Sequence, residues 1–256
     1  MERAREGDRD VIAYLERDLV RNALDLWYLR RKDRRYEFHV CWAGSEVRAH
    51  LGTYSAPEAA YVGLGGESSA AELLLPLVPS RAIVTVPREL HDLVARKLKI
   101  SATYDIDFMI VRNGEEKLRD FSLAKRLSRK NAVEYTSFGS SFNIHEMSLD
   151  WAREQLDTDM IFGVFADGRL ASVASLVAWL PKVAAIMGVE TKPEFRRKGL
   201  GSIVVSAAVQ EALRRSRSCS LYVRSGNEEA ASLYQALGFE KLCEGFFIDI
   251  GAGVNP

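Results

Sequence analysis

A basic segment with two glycines, RRKGLG from Arg196 to Gly201, lies between a predicted strand and a predicted helix. Gly199 and Gly201 allow unusual backbone dihedral angles and let the backbone approach a ligand closely. The helix that follows presents backbone N–H groups and the positive end of its dipole, which together favour an anion. Arg196, Arg197 and Lys198 add cationic donors. The segment therefore predicts a binding site for a diphosphate.

Two familiar phosphate-binding motifs do not describe this segment. The dinucleotide fingerprint requires G-x-G-x-x-G, and the P-loop requires Gly-Lys followed by Ser or Thr. Neither pattern is present in RRKGLG. A pattern of one basic residue and two glycines is weak by itself, because glycine makes up about 7% of an average protein. The identity of the ligand therefore depends on a second motif.

The second motif is NEEAASLYQALGF, which follows the first by about 25 residues. The two motifs, in this order and at this separation, resemble those of the GNAT superfamily of N-acyltransferases. The positions that match the second motif are Asn227, Ala230, Leu233, Tyr234, Gly238 and Phe239. The resemblance covers residues 105–256 and implies a mixed α/β fold with a mostly antiparallel sheet flanked by helices.

The resemblance also implies roles for individual groups. Backbone N–H groups of Arg197 to Ser202 would hold the pyrophosphate of coenzyme A, and the strand end at Gly188–Thr191 would pair with its pantetheine arm. The N–H of Val189 would stabilise the oxyanion of a tetrahedral intermediate. Asn227 would bond to the coenzyme, and Tyr234 would protonate the leaving thiolate. The implied coenzyme contacts are Gly188, Val189, Glu190, Thr191, Arg196, Arg197, Lys198, Gly199, Leu200, Gly201, Ser202, Asn227, Ala230 and Tyr234.

Two of these residues also have an ordinary structural interpretation. Asn227 suits the N-cap of a helix, and Tyr234 could be a helix tyrosine packed on the sheet. The general base is less defined, because many GNAT proteins carry a carboxylate where this sequence has Val183-Ala184-Ala185-Ile186. Glu190 is the nearest carboxylate and is the predicted base. Further groups that could act through water are His145, Glu146, Glu154 and Glu244.

The resemblance places the acceptor opposite coenzyme A, between the loop Tyr135–Met147 and the segment Cys243–Phe247. Candidate wall residues are Phe138, Phe142, His145, Trp179 and Phe246. The alternative is that these aromatic side chains simply fill the core. Neither an acidic nor a basic cluster specifies the acceptor, so the sequence predicts a primary amine without naming it.

The elements that must position these residues form two predicted domains. In residues 1–102, an amphipathic helix over Asp8–Arg31 precedes a strand pair at Tyr36–Trp42 and Glu46–Tyr54. This half resembles a degenerate GNAT-like unit, and its GLGG stretch lacks the basic residues of a phosphate loop. Residues 103–256 form the predicted catalytic domain. There, Asp167-Gly168 predicts a two-residue hairpin turn, and Glu240–Ile250 is predicted to close the sheet.

Composition limits the remaining functions. The 256 residues contain 35 Lys plus Arg and 35 Asp plus Glu, so the formal net charge of zero argues against general nucleic-acid binding. Three widely spaced cysteines and a polar N-terminus indicate a reducing, cytoplasmic setting. No apolar run reaches the length of a membrane helix, and the four histidines lack metal-ligand spacing.

The sequence thus predicts an N-acetyltransferase that carries an acetyl group from acetyl-CoA to a primary amine, without a metal, as a monomer or homodimer. The transfer would be a direct attack through a tetrahedral intermediate. One alternative is a non-catalytic acyl-CoA-binding sensor or regulatory module, which the missing strand carboxylate favours. Another is a nucleic-acid protein that uses the basic runs.

Overall fold

The structure is a computed structural model that describes residues 2–3, 9–138, 147–251 and 253. Contacts divide it into two compact units. Of the described residues, the first unit contains those up to Asp107 and those from Cys243 onwards, and the second contains those between Phe108 and Leu242. None of the described helices is both long and apolar enough to cross a membrane.

In the first unit, short helices accompany a sheet with the strand order β1-β2-β3-β4-β5-β12. Only β4 and β5 pair in parallel; the other neighbours for which a register is resolved are antiparallel. The helices are α1 Arg9–Leu15, α2 Ala23–Arg31, α3 Ser68–Glu72 and α4 His91–Lys97. The strands are β1 Glu2–Arg3, β2 Tyr36–Ala43, β3 Glu46–Ser55, β4 Ala60–Gly66, β5 Ala82–Pro87 and β12 Glu240–Ile250.

The long helix predicted over Asp8–Arg31 is interrupted. A 3-10 turn at Glu16–Asp18 and further turns separate α1 from α2. The Asn22 side chain donates to the Leu15 carbonyl at 3.0 Å, and the Arg21 N–H donates to Asp18 Oδ1 at 3.2 Å. Such side-chain bonds to the backbone compete with helical hydrogen bonds. Apolar periodicity therefore predicted the buried face of this segment but not the break in it.

The final strand joins the first unit over most of its length. Residues Gly245 to Ile250 of β12 pair with Pro87 to Ala82 of β5 in antiparallel register. Phe246, Ile248 and Ile250 are buried in one core cluster with the apolar side chains of β5. Because this strand supplies a row of apolar side chains to that core, its residues from Cys243 to Ile250 count with the first unit.

The second unit has the strand order β6-β11-β10-β9-β8-β7. Here β10 and β11 are parallel, whereas β10–β9, β9–β8 and β8–β7 are antiparallel. The strands are β6 Ala102–Arg112, β7 Lys125–Arg126, β8 Met160–Ala166, β9 Arg169–Trp179, β10 Ala184–Thr191 and β11 Ser218–Arg224. The helices are α5 Ala132–Thr136, α6 Leu149–Thr158, α7 Leu200–Leu213 and α8 Glu228–Ala236.

Sequence signals for several of these elements agree with the structure. Asp167 and Gly168 join β8 to β9 with φ values of 50° and 72°, as a two-residue turn with two positive φ angles requires. Val204, Val205, Ala208 and Ala212 of α7 are buried in the core cluster of the sheet. The mixed α/β class with a mostly antiparallel sheet flanked by helices is confirmed.

Candidate functional site

Strand β10 is bent near its C-terminal end. Between the pairs Met187↔Ser175 and Glu190↔Val173, the chain advances three residues along β10 but only two along β9. Strand β10 therefore contains one extra residue here, which is a β-bulge. Gly188, within this bulge, has a φ of 57°, where glycine carries no steric penalty. A β-bulge bends the strand and redirects the residues after it. The backbone of Gly188–Thr191 therefore leaves the plane that the first half of β10 defines.

A gap opens beside this bend. The parallel register of β10 with β11 consists of Ala184↔Cys219 and Ala185↔Ser220. Both strands continue beyond these pairs, β10 to Thr191 and β11 to Arg224. Because strands carry N–H and C=O groups on both edges, the edge of β10 past Ala185 offers backbone groups to an extended ligand. The expected strand opening begins two residues earlier than Gly188.

The segment after β10 turns sharply into α7. Phe195 is buried and anchors a 3-10 turn at Pro193–Phe195. The Arg196 Nε donates to the Thr191 carbonyl at 3.1 Å, which folds the turn back on the strand end. Arg197 has a φ of 63°, an uncommon conformation for a residue with a side chain. Outliers of this kind occur preferentially at functional sites.

The start of α7 leaves three backbone N–H groups at a partly exposed helix end. Gly199, with a φ of 76°, precedes the helix, and the Ile203 N–H donates to its carbonyl at 3.2 Å. The N–H groups of Leu200, Gly201 and Ser202 come before this first helical bond, so they point along the axis out of the helix. The Arg197 side chain is 83% exposed beside them. This geometry suits an anion with several oxygens, such as a diphosphate.

The motif attributed Gly201 to the close approach of a ligand, whereas the structure gives a packing reason for a glycine at this position. A Cβ at this position would lie 3.1 Å from Leu233 Cδ1 and 3.5 Å from Thr191 Oγ1. The missing side chain therefore allows α7, α8 and the end of β10 to pack closely. A Cβ on Gly199, by contrast, would point into open space, so its positive φ is what requires glycine there.

Asn227 caps α8. Its Oδ1 accepts a hydrogen bond from the Ala230 N–H at 3.2 Å, and its side chain is exposed. The interpretation of Asn227 as a helix N-cap is therefore correct for its Oδ1 atom. Ala230 is partly buried and packs against the same core cluster as Leu233. The contact between Gly201 and Leu233 brings this capped helix beside the start of α7.

Tyr234 is buried in the core cluster of the second unit, with 6% of its surface exposed. Its ring makes an edge contact with Phe239 at a centroid distance of 6.0 Å. Burial raises the pKa of the Tyr234 hydroxyl well above its ordinary value. The phenol consequently stays protonated throughout the neutral range. The packed-tyrosine interpretation therefore describes the ring.

Hydroxyl groups of β9 hold the end of β10 near Glu190. Ser172 Oγ donates to the Glu190 carbonyl at 2.9 Å and shares a hydrogen bond of 2.8 Å with Thr191 Oγ1. Tyr135 on α5 is buried, which raises its pKa, and the charge of Glu190 contributes to the increase. The Glu190 carboxylate therefore lies within electrostatic reach of Tyr135.

Sequence reasoning missed Ser172, Ser175 and Tyr135 as parts of this region. The hydroxyl of Ser175 interacts with Tyr135 and lowers its pKa, against the larger effect of burial. One signal was present: Ser172 and Ser175 are the two polar residues in the otherwise apolar run LASVASLVAW of β9. Both are buried, and a buried hydroxyl needs a partner.

The two described acceptor candidates of the second unit, Phe138 and Trp179, lie near opposite ends of β10. Phe138 is buried in the cluster of Tyr135, and Lys192 Nζ lies 5.1 Å from its ring centroid, near the end of β10. Trp179 pairs with Ala184 at the opposite end of β10, so the structure does not bring it to the bend. Phe246 lies in the first unit, with its ring 4.3 Å from that of His91.

Four further residues were predicted as a base or as a wall of the acceptor site. Phe142, His145 and Glu146 lie outside the described residues. Glu244 is in the first unit and forms an ion pair with Arg88 at 3.0 Å. Among the predicted bases that the structure describes, Glu190 is the one that lies on the bent end of β10 itself.

Comparisons with known proteins agree with this geometry. Residues 162–248 match the family described as FR47-like protein. A Drosophila protein of known structure has a TM-score of 0.76 at 13% identity and covers 98% of both chains. A GCN5-related N-acetyltransferase-like protein from Streptococcus suis has a TM-score of 0.66 at 16% identity, covering 93% of this chain and 97% of the other.

A tandem GNAT protein from the clavulanic acid biosynthesis pathway has a TM-score of 0.61 at 16% identity and covers 98% of this chain and 97% of its own. A search of curated proteins found no match. At these identities the likeness concerns the fold. The resemblance inferred from the two motifs is confirmed by the family match and by these folds.

Proposed function

This chain has the fold of the GNAT superfamily, and we propose that it transfers an acetyl group from acetyl-CoA to a primary amine. One observation carries the proposal: the N–H groups that precede the first helical hydrogen bond of α7 follow the bent, open end of β10 after one short turn. A diphosphate bound at the start of α7 and an amide-containing arm bound at the end of β10 are adjacent parts of one coenzyme. A simple phosphate site would require only the helix start.

The proposed contacts divide between backbone and side chains. The N–H groups of Leu200, Gly201 and Ser202 bind the diphosphate, and the exposed Arg197 neutralises its charge. The edge of β10 between Gly188 and Thr191 pairs with the pantetheine arm. The Val189 N–H, turned by the bulge, donates to the thioester carbonyl. Such a donor contributes most when the carbonyl oxygen becomes an oxyanion.

The reaction then follows from these positions. A neutral amine attacks the thioester carbon, a C–N bond forms, and the oxyanion of the tetrahedral intermediate is stabilised by the Val189 N–H. Glu190 accepts the proton that the amine loses, directly or through water. Collapse of the intermediate breaks the C–S bond, and Tyr234 donates a proton to the thiolate. The products are an N-substituted acetamide and free coenzyme A.

A binding module without turnover is the second candidate. Ala184 and Ala185 are buried at 0% and 8% exposure, so the apolar core takes the positions where a strand carboxylate was sought. That observation favours a protein that binds acyl-CoA and performs no chemistry. Glu190 and Tyr234 favour the enzyme.

Two measurements on the full chain separate these functions. Calorimetry with acetyl-CoA and with coenzyme A tests the donor site, and we expect both to bind. A thiol-release assay with acetyl-CoA over a panel of primary amines tests transfer, with tertiary amines of similar size as controls. Thiol release that requires a primary amine supports the enzyme. Binding without release from any amine supports the sensor, and no binding contradicts both.

A further inference from the structure

The first unit contains a partly open cavity, lined by apolar and charged residues, that the proposed function does not use. It has a volume of about 250 Å³ and lies between the ends of β4 and β5 and the segment from α1 to α2. This volume exceeds that of a cavity of about 150 Å³ that holds benzene and falls below the roughly 300 Å³ at which drug-sized sites begin. The cavity therefore suits a small organic molecule.

Four side chains, three of which line the cavity, form a continuous chain of polar contacts. Tyr36 Oη donates to Asp25 Oδ1 at 2.6 Å, and His50 Nε2 lies 3.5 Å from Asp25 Oδ2. At the other side of the ring, His50 Nδ1 lies 3.2 Å from Tyr14 Oη. Asp25 is 7% exposed and His50 is 3% exposed. Tyr14, Asp25 and His50 line the cavity.

The direction of the protons in this chain follows from the carboxylate. An ionised carboxylate can only accept, so the proton between Asp25 and His50 belongs to Nε2. In a neutral imidazole the other nitrogen is then an acceptor, and Tyr14 Oη donates to it. Every proton therefore points towards Asp25. The lone pairs of Tyr14 Oη end the chain, so the wall offers the cavity an acceptor.

Glycines in the strands of the sheet leave space for these polar side chains. A Cβ on Gly63 would lie 2.9 Å from Asp25 Oδ2, and Cβ atoms on Gly52 and Gly65 would collide with Asp25 and His50. Glycine within strands weakens a sheet, and a buried charge costs more than an apolar side chain of similar size. The first unit has both features in one place, and its fold requires neither.

The charges around the cavity favour a cation. Its lining holds two arginines, Arg17 and Arg21, and three carboxylates, those of Asp18, Asp25 and Glu89, which leaves one negative charge in excess when His50 is neutral. Arg21 is neutralised by Asp18, whose Oδ2 lies 2.7 Å from its Nη1. The apolar residues Leu64 and Val86 also line the cavity and could cover the body of a ligand.

We propose that this cavity is a second ligand site, which binds a small organic amine as its ammonium ion. The ammonium group donates to Tyr14 Oη and faces the carboxylate of Asp25, while the carbon skeleton contacts Leu64 and Val86. This site belongs to the first unit alone and does not depend on the proposed acetyl transfer.

The test uses the full chain labelled in its histidine rings and three matched probes. The four histidines give separate imidazole signals in NMR spectra, which substitution of each histidine in turn assigns. The probes are 2-phenylethylammonium, 2-phenylethanol and 3-phenylpropanoate, which share a skeleton and differ in charge. We expect the amine to shift the His50 signals in a saturable way, with at least about tenfold weaker binding of the alcohol and the acid, a difference of about 1.4 kcal/mol.

Variants locate the contact. Tyr14→Phe keeps the ring and removes the acceptor, and Asp25→Asn keeps the shape and removes the charge; each should weaken the amine at least about tenfold. Asp105→Asn, a change of the same charge on an exposed side chain of the first unit, should leave binding unchanged. If Asp25→Asn does not fold, Tyr14→Phe decides.

Four results would overturn the proposal. They are the absence of any amine-dependent shift at His50 up to about 10 mM, well above a Kd of about 1 mM, equal binding of the three probes, unchanged affinity in Tyr14→Phe, and release of the amine by coenzyme A. The last would assign the cavity to the coenzyme. Amine binding at His50 in a protein that shows no thiol release would support this site while contradicting the proposed enzyme.

Discussion

Tyr234 illustrates how one residue can satisfy a packing role and a chemical role at once. Its ring lies in the core cluster and touches Phe239, so replacement by phenylalanine keeps these contacts. Its hydroxyl is the proposed acid for the coenzyme thiolate. Because burial raises its pKa, the proton is present at every pH at which the protein is expected to work. The two roles can be separated by a single substitution.

We expect Tyr234→Phe to lower the rate of thiol release by about 10² to 10⁴, the usual contribution of a positioned proton donor. Acetyl-CoA affinity should change little, because the coenzyme is held by backbone groups of α7 and β10. Steady-state kinetics and calorimetry on the same preparation measure both. An unaltered rate would show that water or another group protonates the thiolate.

Glu190 is the carboxylate that the structure leaves at the bent strand end, near Tyr135. Glu190→Gln keeps the size and polarity of the side chain and removes the negative charge. We expect a fall of about 10² or more in the rate at neutral pH, with partial recovery as the pH rises and more of the amine is neutral. A rate of the wild-type magnitude at neutral pH would exclude Glu190 as the base. Glu194→Gln, on the exposed turn after β10, is the matched control.

The proposed donor residues could be selected from the sequence because their motifs are local. Two local motifs contain Gly199, Gly201, Asn227 and Tyr234. Within each motif, the separation of the residues along the chain largely determines the distance between them in the fold. The electrostatic interaction of Glu190 with Tyr135 depends on the packing of α5 against β9 and joins residues 55 positions apart. No local pattern encodes that contact. The buried serines of β9 were the one local indication.

At the scale of elements, the start of α7 is the feature on which coenzyme binding depends. Substitution of Gly201 would not test coenzyme binding alone, because an added side chain would also contact Leu233 and Thr191. Ser202 is a better position, because it is the third residue of the helix and is partly exposed. A glutamate at this position is favourable to a helix through its first-turn N–H groups and dipole.

We therefore expect Ser202→Glu to keep or increase stability, by about 0.3–1 kcal/mol, while it places a negative charge where the diphosphate should bind. The affinity for acetyl-CoA should fall at least about tenfold, which corresponds to about 1.4 kcal/mol. Ser202→Gln, with the same size and no charge, should bind far better than Ser202→Glu. Equal affinity of the two variants would contradict the assignment of the diphosphate to this helix.

The elements themselves were predictable to the extent that their signals are local. The Asp167-Gly168 hairpin has the turn residues that its geometry requires, and the structure has that turn. The prediction of one continuous helix over Asp8–Arg31 was wrong because the side chains of Asn22 and Asp18 form hydrogen bonds with the backbone. Apolar periodicity does not detect such bonds. The pairing of β12 with β5 joins residues more than 150 positions apart, so no motif within either strand indicates it.

At the scale of the whole molecule, buried tyrosines couple stability to alkaline pH. The tyrosines whose pKa is raised, in each case chiefly by burial, are Tyr14, Tyr36, Tyr61, Tyr135 and Tyr234. The pKa values of Tyr14 and Tyr61 rise to about 12. Three of the five belong to the first unit and two to the second. Both units should therefore respond to high pH.

The sign of the effect follows from proton binding. An unfolded chain releases its tyrosine protons near pH 10, whereas the folded protein retains these five beyond that pH. The contribution of these groups to stability is complete below about pH 10 and is lost as the pH rises from about 10 towards 12. For one deeply buried tyrosine the loss is up to about 1.4 kcal/mol per pH unit.

Tyr234→Phe tests this linkage as well as the proposed acid, because the variant has one ionisable group fewer in the core. Urea unfolding at intervals between about pH 8 and pH 11 measures the free energy of unfolding, which should fall more slowly above about pH 10 in the variant than in the wild type. Tyr104→Phe, at a partly exposed position in the first unit, is the control. Because burial is the one cause of the Tyr234 shift, curves for Tyr234→Phe and wild type that stay parallel above pH 10 would mean that this hydroxyl reaches water in the folded protein. In that case the proposed acid would be an ordinary exposed phenol, with a pKa near 10.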